Sequence, residues 1–254
     1  MDKTWGPDYL TFGLQVSDDF EGRASYQLGA EYTRTGLNRW GGEWRTRTEI
    51  GRITGLHSEF FQPAGPQGQF FALPYVEYRA LNQEIRVDDA VVSSYRLRRS
   101  TGGVDIGWEP NTLSRMYLGV AFTRGTASSL IGSVDGVDDF RESSGSLRLG
   151  WVRDTLDDAD FPRRGGRLDL LWTEVLEPLG APAAGRIYDL SWDHALSRGA
   201  HSLLLGTRLR MVDGDPGRFD AVAPLGGFTY LSGFNERALL GEHLALVRAV
   251  YYPS

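Results

Sequence analysis

Four aspartates, Asp154, Asp157, Asp158 and Asp160, crowd into the stretch just before Phe161. Carboxylates that dense could hold a divalent cation, because hard cations select oxygen ligands. The run lacks the spacing of a calcium loop, however, and reads more simply as a solvated turn. The four histidines, His57, His194, His201 and His243, are far apart in the chain, with no partner at ligand spacing, which argues against a zinc site. The chain has no cysteine, so disulfides and thiolate metal sites are excluded. Asp135-Gly136 and Asp213-Gly214 read as loop turns. No metal and no cofactor is expected. The remaining candidate chemistry is charge: Arg45, Arg47, Arg96, Arg98, Arg148, Arg208 and Arg210 lie on or near the polar faces of their segments. They could line a cavity for anionic solutes or lipid headgroups. They could equally pair with Glu31, Glu49, Asp169 and Asp193, and ion pairing is the simpler expectation.

The elements that carry these charges are strands. Period-two alternation of apolar and polar residues runs through almost the whole chain. In Tyr9–Val16, Leu10, Phe12, Leu14 and Val16 face one way, and Tyr9, Thr11, Gly13 and Gln15 the other. The same pattern predicts strands over Ser25–Thr33, Glu43–Arg52, Leu56–Gln62, Phe70–Ile85, Ala90–Trp108, Arg115–Arg124, Ser144–Asp154, Arg167–Val175, Arg186–Ala195, Ser202–Met211 and His243–Tyr252. A slip near Gly102-Gly103 predicts a bulge. The last strand is apolar on both faces, so its polar side is not assignable.

Alternation alone does not distinguish a soluble sandwich from a membrane barrel. Two features favour the barrel. Trp and Tyr often end the apolar faces (Tyr9, Trp44, Trp108, Trp151, Trp172, Trp192), as an interfacial belt requires. Segment length is about ten residues, which suits a tilted membrane strand. Mean hydropathy is -0.31 and no apolar run reaches the ~20 residues of a membrane helix, but barrel strands average out as polar. A net charge of -6 argues against nucleic acid as a partner. Short turns at Glu109–Ser114 and Ser197–His201 face longer loops at Thr123–Ser143, Leu176–Gly185 and Asp213–Gly241, the asymmetry that barrels show between periplasmic and external ends. Asp154–Gly166 is long on the short side. No linker divides residues 1–254, so one domain is expected. The Pro224–Phe234 stretch, too glycine-interrupted for a strand, reads as a loop folded back into the barrel lumen.

Three stretches carry a family resemblance. Trp5-Gly6-Pro7-Asp8-Tyr9-Leu10 resembles the opening barrel strand of bacterial patatin-like phospholipases, which carry a C-terminal outer-membrane barrel of the bacterial surface antigen type. Phe161-Pro162-Arg163-Arg164-Gly165-Gly166 resembles the Pro-Thr-Arg-Gly periplasmic turn of the wider superfamily of assembly and two-partner secretion barrels. Gly226-Gly227 with Leu231-Ser232-Gly233-Phe234 resembles that superfamily's lumen-folded Arg-Gly-Phe/Tyr loop, with Ser232 where the family has arginine. Arg237 is the one candidate substitute.

The resemblance implies a transmembrane antiparallel β-barrel, about 12 of an expected 16 strands being present. It implies a chain that begins inside a longer protein, an expectation to which the absence of an apolar leader at Met1 contributes. It further implies an outer-membrane location, contact with outer-membrane lipids and the barrel-assembly machinery, and an upstream patatin-like domain in the same polypeptide; pairing of two protomers stays open. The chain itself has neither the Gly-x-Ser-x-Gly nucleophile turn nor the Asp-Gly-Gly/Ala motif of a patatin, so no catalysis is expected of it. Arg163 and Arg164 are expected to anchor at a phosphate-bearing membrane surface. Two alternatives stay open: a barrel of an assembly or two-partner secretion transporter, and a soluble β-sheet binding module.

Overall fold

In the computed structural model, the structure describes residues 7–18, 24–87, 90–131, 139–217, 222–225 and 239–253. Among the described residues it is all-β apart from one 3-10 turn, Glu177–Leu179. The strands are β1 (Asp8–Asp18), β2 (Ala24–Arg34), β3 (Glu43–Gly51), β4 (Ile53–Ala64), β5 (Phe70–Val87), β6 (Ala90–Asn111), β7 (Ser114–Ile131) and β8 (Phe140–Asp154). They continue as β9 (Gly165–Leu176), β10 (Gly185–Arg198), β11 (His201–Gly214), β12 (Ala223–Leu225), β13 (Leu239–Gly241) and β14 (Leu244–Pro253). Twelve strands form one sheet in the order β1 to β11 and then β14, while β12 and β13 form a separate hairpin. From β1 to β11 each strand lies beside its neighbour in sequence, as hairpin connections dictate, and β14 then follows β11.

All twelve segments expected from the alternation are strands. The expected loop at Thr123–Ser143 is corrected: β7 runs on to Ile131 and β8 starts at Phe140. The sequence there, Thr123-Arg124-Gly125-Thr126-Ala127-Ser128-Ser129, has no apolar face to reveal a strand, yet Ala127 is buried and the Ser129 amide donates to Asp139 Oδ1 at 2.7 Å. The expected slip at Gly102-Gly103 is also absent. In β6 the even positions Arg96, Arg98, Ser100, Val104, Ile106 and Trp108 are all exposed and the odd ones from Leu97 to Gly107 are not. Arg96 and Arg98 therefore share a face with the apolar side chains instead of opposing them.

The chain clusters into two compact units, Met1–Asp105 with Ala121–Ser143, and Ile106–Val120 with Ser144–Ser254. In the first, Leu10, Phe12, Leu14 and Val16 of β1 pair in register with Tyr32, Ala30, Leu28 and Tyr26 of β2. This apolar face is exposed, with Phe12 at 68 %. Two of its hydroxyls bond each other, Thr46 Oγ1 and Ser58 Oγ lying 2.8 Å apart, and Trp44 Nε1 donates to Ser58 Oγ at 2.8 Å. The opposite face is an ion-pair lattice. Glu31 contacts Arg47 at 2.6 Å and Arg45 at 3.8 Å. Arg45 reaches Glu59 at 3.2 Å, and the ring nitrogens of His57 face Glu59 and Glu77.

The second unit repeats this plan. Apolar side chains align across its strands as Trp151, Leu170, Leu190, Leu209 and Ala245 in one row, and Leu149, Trp172, Tyr188 and Met211 in the next. Gly51 at φ 142 and Gly165 at φ 93 mark connections where a side chain has no room: a Cβ at Gly51 lies 2.1 Å from Tyr26 O, and one at Gly165 lies 1.9 Å from Thr155 O.

Candidate functional site: a charged cavity under an acidic strap

The polar face of the second unit borders a cavity of about 1020 Å³. The registers of β8 to β11 and β14 place charges in rows across it. One row reads Asp154, Arg167, Asp193, Gly206, Arg248; the next Val152, Asp169, Ser191, Arg208, Leu246; the next Gly150, Leu171, Asp189, Arg210, Leu244. Opposite charges meet along and between the strands. Arg167 is 3.4 Å from Asp154, Arg210 3.2 Å from Asp189, and Arg248 2.8 Å from Asp193.

The Arg248–Asp193 pair crosses an intervening strand. β11 lies between β14 and β10, and the residue it presents there is Gly206. A Cβ at that position lies 2.5 Å from both Arg248 Nε and Asp193 Oδ1, so a side chain there displaces the pair from its present path. Gly150 does the same for an aromatic ring: a Cβ there lies 2.1 Å from Tyr117 Cζ. Arg148 in turn stacks over that ring at 5.7 Å. Arg248 also settles the polar side of β14, which the sequence left unassigned.

One wall of the cavity is the β8–β9 connection, including Leu156, Asp157, Asp158, Ala159, Asp160 and Pro162. The acidic run of the sequence holds this segment together. Asp157 Oδ1 accepts the amides of Arg163 at 2.8 Å and Arg164 at 3.0 Å. Asp158 Oδ1 accepts those of Asp160 and Phe161, both at 2.9 Å. Asp154 Oδ1 accepts from Leu156 N at 3.0 Å. The Arg164 and Arg163 amides hold the Asp157 carboxyl below the usual carboxylate range, and the Phe161 and Asp160 amides do the same for Asp158. At the base, Thr155 Oγ1 both donates to Gly166 O and accepts from Gly166 N, at 2.9 Å each.

The connection behaves as a strap. Tyr252 of β14 donates its hydroxyl to Pro162 O, and its ring meets Phe161 edge-on at 5.8 Å. Arg163 Nη2 donates to Gly199 O of the β10–β11 turn at 2.8 Å. The strap thus leaves the sheet between β8 and β9 and is tied down three strands further along.

The expected turn motif, Phe161 to Gly166, is therefore one connected piece of structure. Arg164 is 86 % exposed in its side chain, 3.7 Å from Asp157. Of the first-strand motif, Trp5 and Gly6 lie outside the described residues. Pro7 O accepts from Thr35 N at 2.8 Å, and Tyr9 and Leu10 begin β1 on opposite faces. The lumen-loop motif, Gly226, Gly227, Leu231, Ser232, Gly233 and Phe234, and also Arg237, lies outside the described residues. The hairpin flanking it is described: Ala223 is buried and lines the cavity beside Leu244. Sequence reasoning missed the role of Gly206 and the Tyr252 tie. A glycine inside a strongly alternating strand was the one available signal.

Among known proteins, no family profile and no curated protein matches the chain. Solved structures do match. One is the crystal structure of BamA from Haemophilus ducreyi lacking POTRA domains 1-3, with a TM-score of 0.70 at 14 % identity over 91 % of this chain and 46 % of that one. At that identity the likeness is one of fold. The chain has the antiparallel β-barrel fold of that structure and spans just under half its length.

Proposed function

We propose that this chain is the membrane-embedded barrel module of a bacterial outer-membrane protein, serving to anchor or translocate rather than to catalyse. One observation carries the reading: the apolar face of the sheet is exposed while the polar face is spent on ion pairs. On β11 the apolar side chains run from Leu203 to Met211, roughly 27 Å along a strand and about 20 Å along the membrane normal at the usual tilt. That is close to the apolar band of a membrane barrel. Hydrocarbon satisfies such a face, and the ladder satisfies the backbone.

The β11–β14 connection is read as folding into the lumen, supported by Ala223 against the cavity wall. The finer assignment is to the patatin-like phospholipase branch, with the hydrolase upstream in the same polypeptide and the barrel inserted by the assembly machinery. It is supported by Trp5-Gly6-Pro7. The second reading, an assembly or two-partner secretion barrel, is favoured by the likeness to BamA.

Fluorescent probes test the membrane reading directly. In bilayers, probes at Leu118 and Leu149 report hydrocarbon and those at Tyr117 and Arg148 report a polar interior. The reverse pattern refutes it. The sequence preceding Met1 in the reading frame separates the two branches: a Gly-x-Ser-x-Gly turn for the first, repeated small α/β modules for the second.

A further inference from the structure

On the apolar face of the second unit, charge is segregated by end. At the end where β9 turns into β10, Arg186 lies between Glu174 and Asp213, in register with both and 3.0 and 3.6 Å from them. That rim is balanced. At the other end the same face presents Arg153, His194, Arg198 and His201, and among the described residues of that face no carboxylate.

Two of these groups, with Arg163 of the strap, meet at one turn. Arg198 and His201 are cross-strand partners on either side of Gly199-Ala200, and both are exposed. Arg163 joins them through its bond to Gly199 O. His201 Nδ1 lies 2.6 Å from the Tyr251 hydroxyl, and the two rings stack at 5.9 Å and 22°. The nearby strap acids, Asp157 and Asp158, already accept four loop amides. One step along the strands, Leu196, Leu203 and Tyr251 stand in register and begin the apolar band.

We infer that this rim is a binding site for the phosphate of an anionic phospholipid, with the acyl chains lying along Leu196, Leu203 and Val247. The inference rests on the membrane reading above. Guanidinium groups match phosphate oxygens in geometry and charge. In the tautomer that accepts the Tyr251 hydroxyl at Nδ1, the Nε2 of His201 carries a proton and is a third donor. Tyrosine at the boundary of an apolar band is where its ring is apolar-solvated and its hydroxyl wet. The occupant is lipid rather than soluble anion because the site sits where a lipid-facing band ends, and because the opposite rim, equally close to headgroups, neutralises its own arginine.

The whole protein in mild detergent, titrated with phosphatidylglycerol or phosphatidylcholine and read by native mass spectrometry, tests the site. The native chain retains phosphatidylglycerol in preference. Arg198→Gln with His201→Gln lowers that retention roughly fivefold or more. Arg186→Gln at the other rim leaves it unchanged. Unchanged heat-modifiable mobility shows that each variant is folded. Equal retention of the two lipids by the native chain overturns the inference, as does equal retention by the double variant. Displacement of the lipid by an equal concentration of inorganic phosphate overturns the assignment to lipid. A chain that stays in buffer without detergent refutes the membrane reading itself, an outcome distinct from an inserted chain that shows no lipid preference.

Discussion

Replacing Gly206 by alanine separates the wall's ion pairing from its strand pairing. The new methyl lies 2.5 Å from Arg248 Nε, 2.5 Å from Asp193 Oδ1 and 2.9 Å from Arg248 Cγ, so the 2.8 Å pair has to open. The two side chains are 23 % and 19 % exposed, and a charge-assisted hydrogen bond in such a setting contributes ~1.5–3 kcal/mol. The cavity of about 1020 Å³ admits water to the separated groups, which favours the lower end. Alanine also restricts the unfolded chain, offsetting ~0.4–1 kcal/mol. The expected net loss is about 1 kcal/mol, or ~2–4 °C in melting temperature for a domain of this size. Heat-modifiable gel mobility and thermal unfolding of the detergent-folded protein measure it. Gly13→Ala is the control, because a Cβ at Gly13 meets nothing within 4 Å; it is neutral or stabilising. A double-mutant cycle with Asp193→Asn adds the decisive reading: once the pair is gone, Gly206→Ala costs little more. Full additivity of the two, or a Gly206→Ala melting point at or above the native one, refutes the reasoning.

Gly165→Ala, at φ 93 with a Cβ 1.9 Å from Thr155 O, costs at least about 2 kcal/mol, whereas Gly199→Ala, at φ 63 with nothing nearby, costs about 1 kcal/mol; comparable melting points for the two disprove the clash. The Asp157 carboxyl is depressed by the amides of Arg164 and Arg163, so its contribution to the strap is present above the unfolded value of ~3.9 and is lost as pH falls through the lower folded one. Amide NMR shifts of Arg163 and Arg164 therefore titrate with a midpoint below ~3.9, and a midpoint between 4 and 5 contradicts the bonding. Asp157→Ala removes both acceptor bonds and accelerates exchange of those two amides while leaving that of β10 unchanged; equal protection in the variant rules out the strap as described. Leu209→Arg, in the middle of the apolar row, costs ~2–4 kcal/mol in bilayers, and a neutral effect on unfolding from vesicles removes lipid from that face.

The strands were legible because the two faces of the sheet carry opposite chemistry on alternate residues. Leu203, Leu205 and Leu209 against Ser202, Arg208 and Arg210 leave little choice of face. Legibility failed where that opposition lapses. The far half of β7 carries small polar residues on both faces, so it read as loop. β14 is apolar on both faces except at Arg248, and its polar side became known only through Asp193, 55 residues away in sequence. The three-residue strands β12 and β13 are too short to show a period. Within the strap, the aspartates were legible as a turn, because their carboxylates serve amides two to seven residues away. Its tie to Tyr252 spans 90 residues and has no local signature.

The same contrast explains why a cavity so rich in charge is read as wall rather than as reaction centre. Acid–base and nucleophilic chemistry needs a charged or reactive group held back from its neighbours and aimed at substrate. Here Arg167, Arg210 and Arg248 are each within 3.4 Å of an aspartate, Asp157 and Asp158 are occupied by strap amides, and glycines at 206 and 150 are placed so that long side chains can lie flat across a neighbouring strand. Each device lowers the cost of lining the cavity with charge by pairing that charge across the strands. Arg198 and His201 lie outside that wall, exposed at the β10–β11 turn, where the proposed lipid site puts an outside partner. On that account, a variant that unpairs the wall, such as Gly206→Ala, alters stability before it alters what the protein binds, and Arg198→Gln does the opposite.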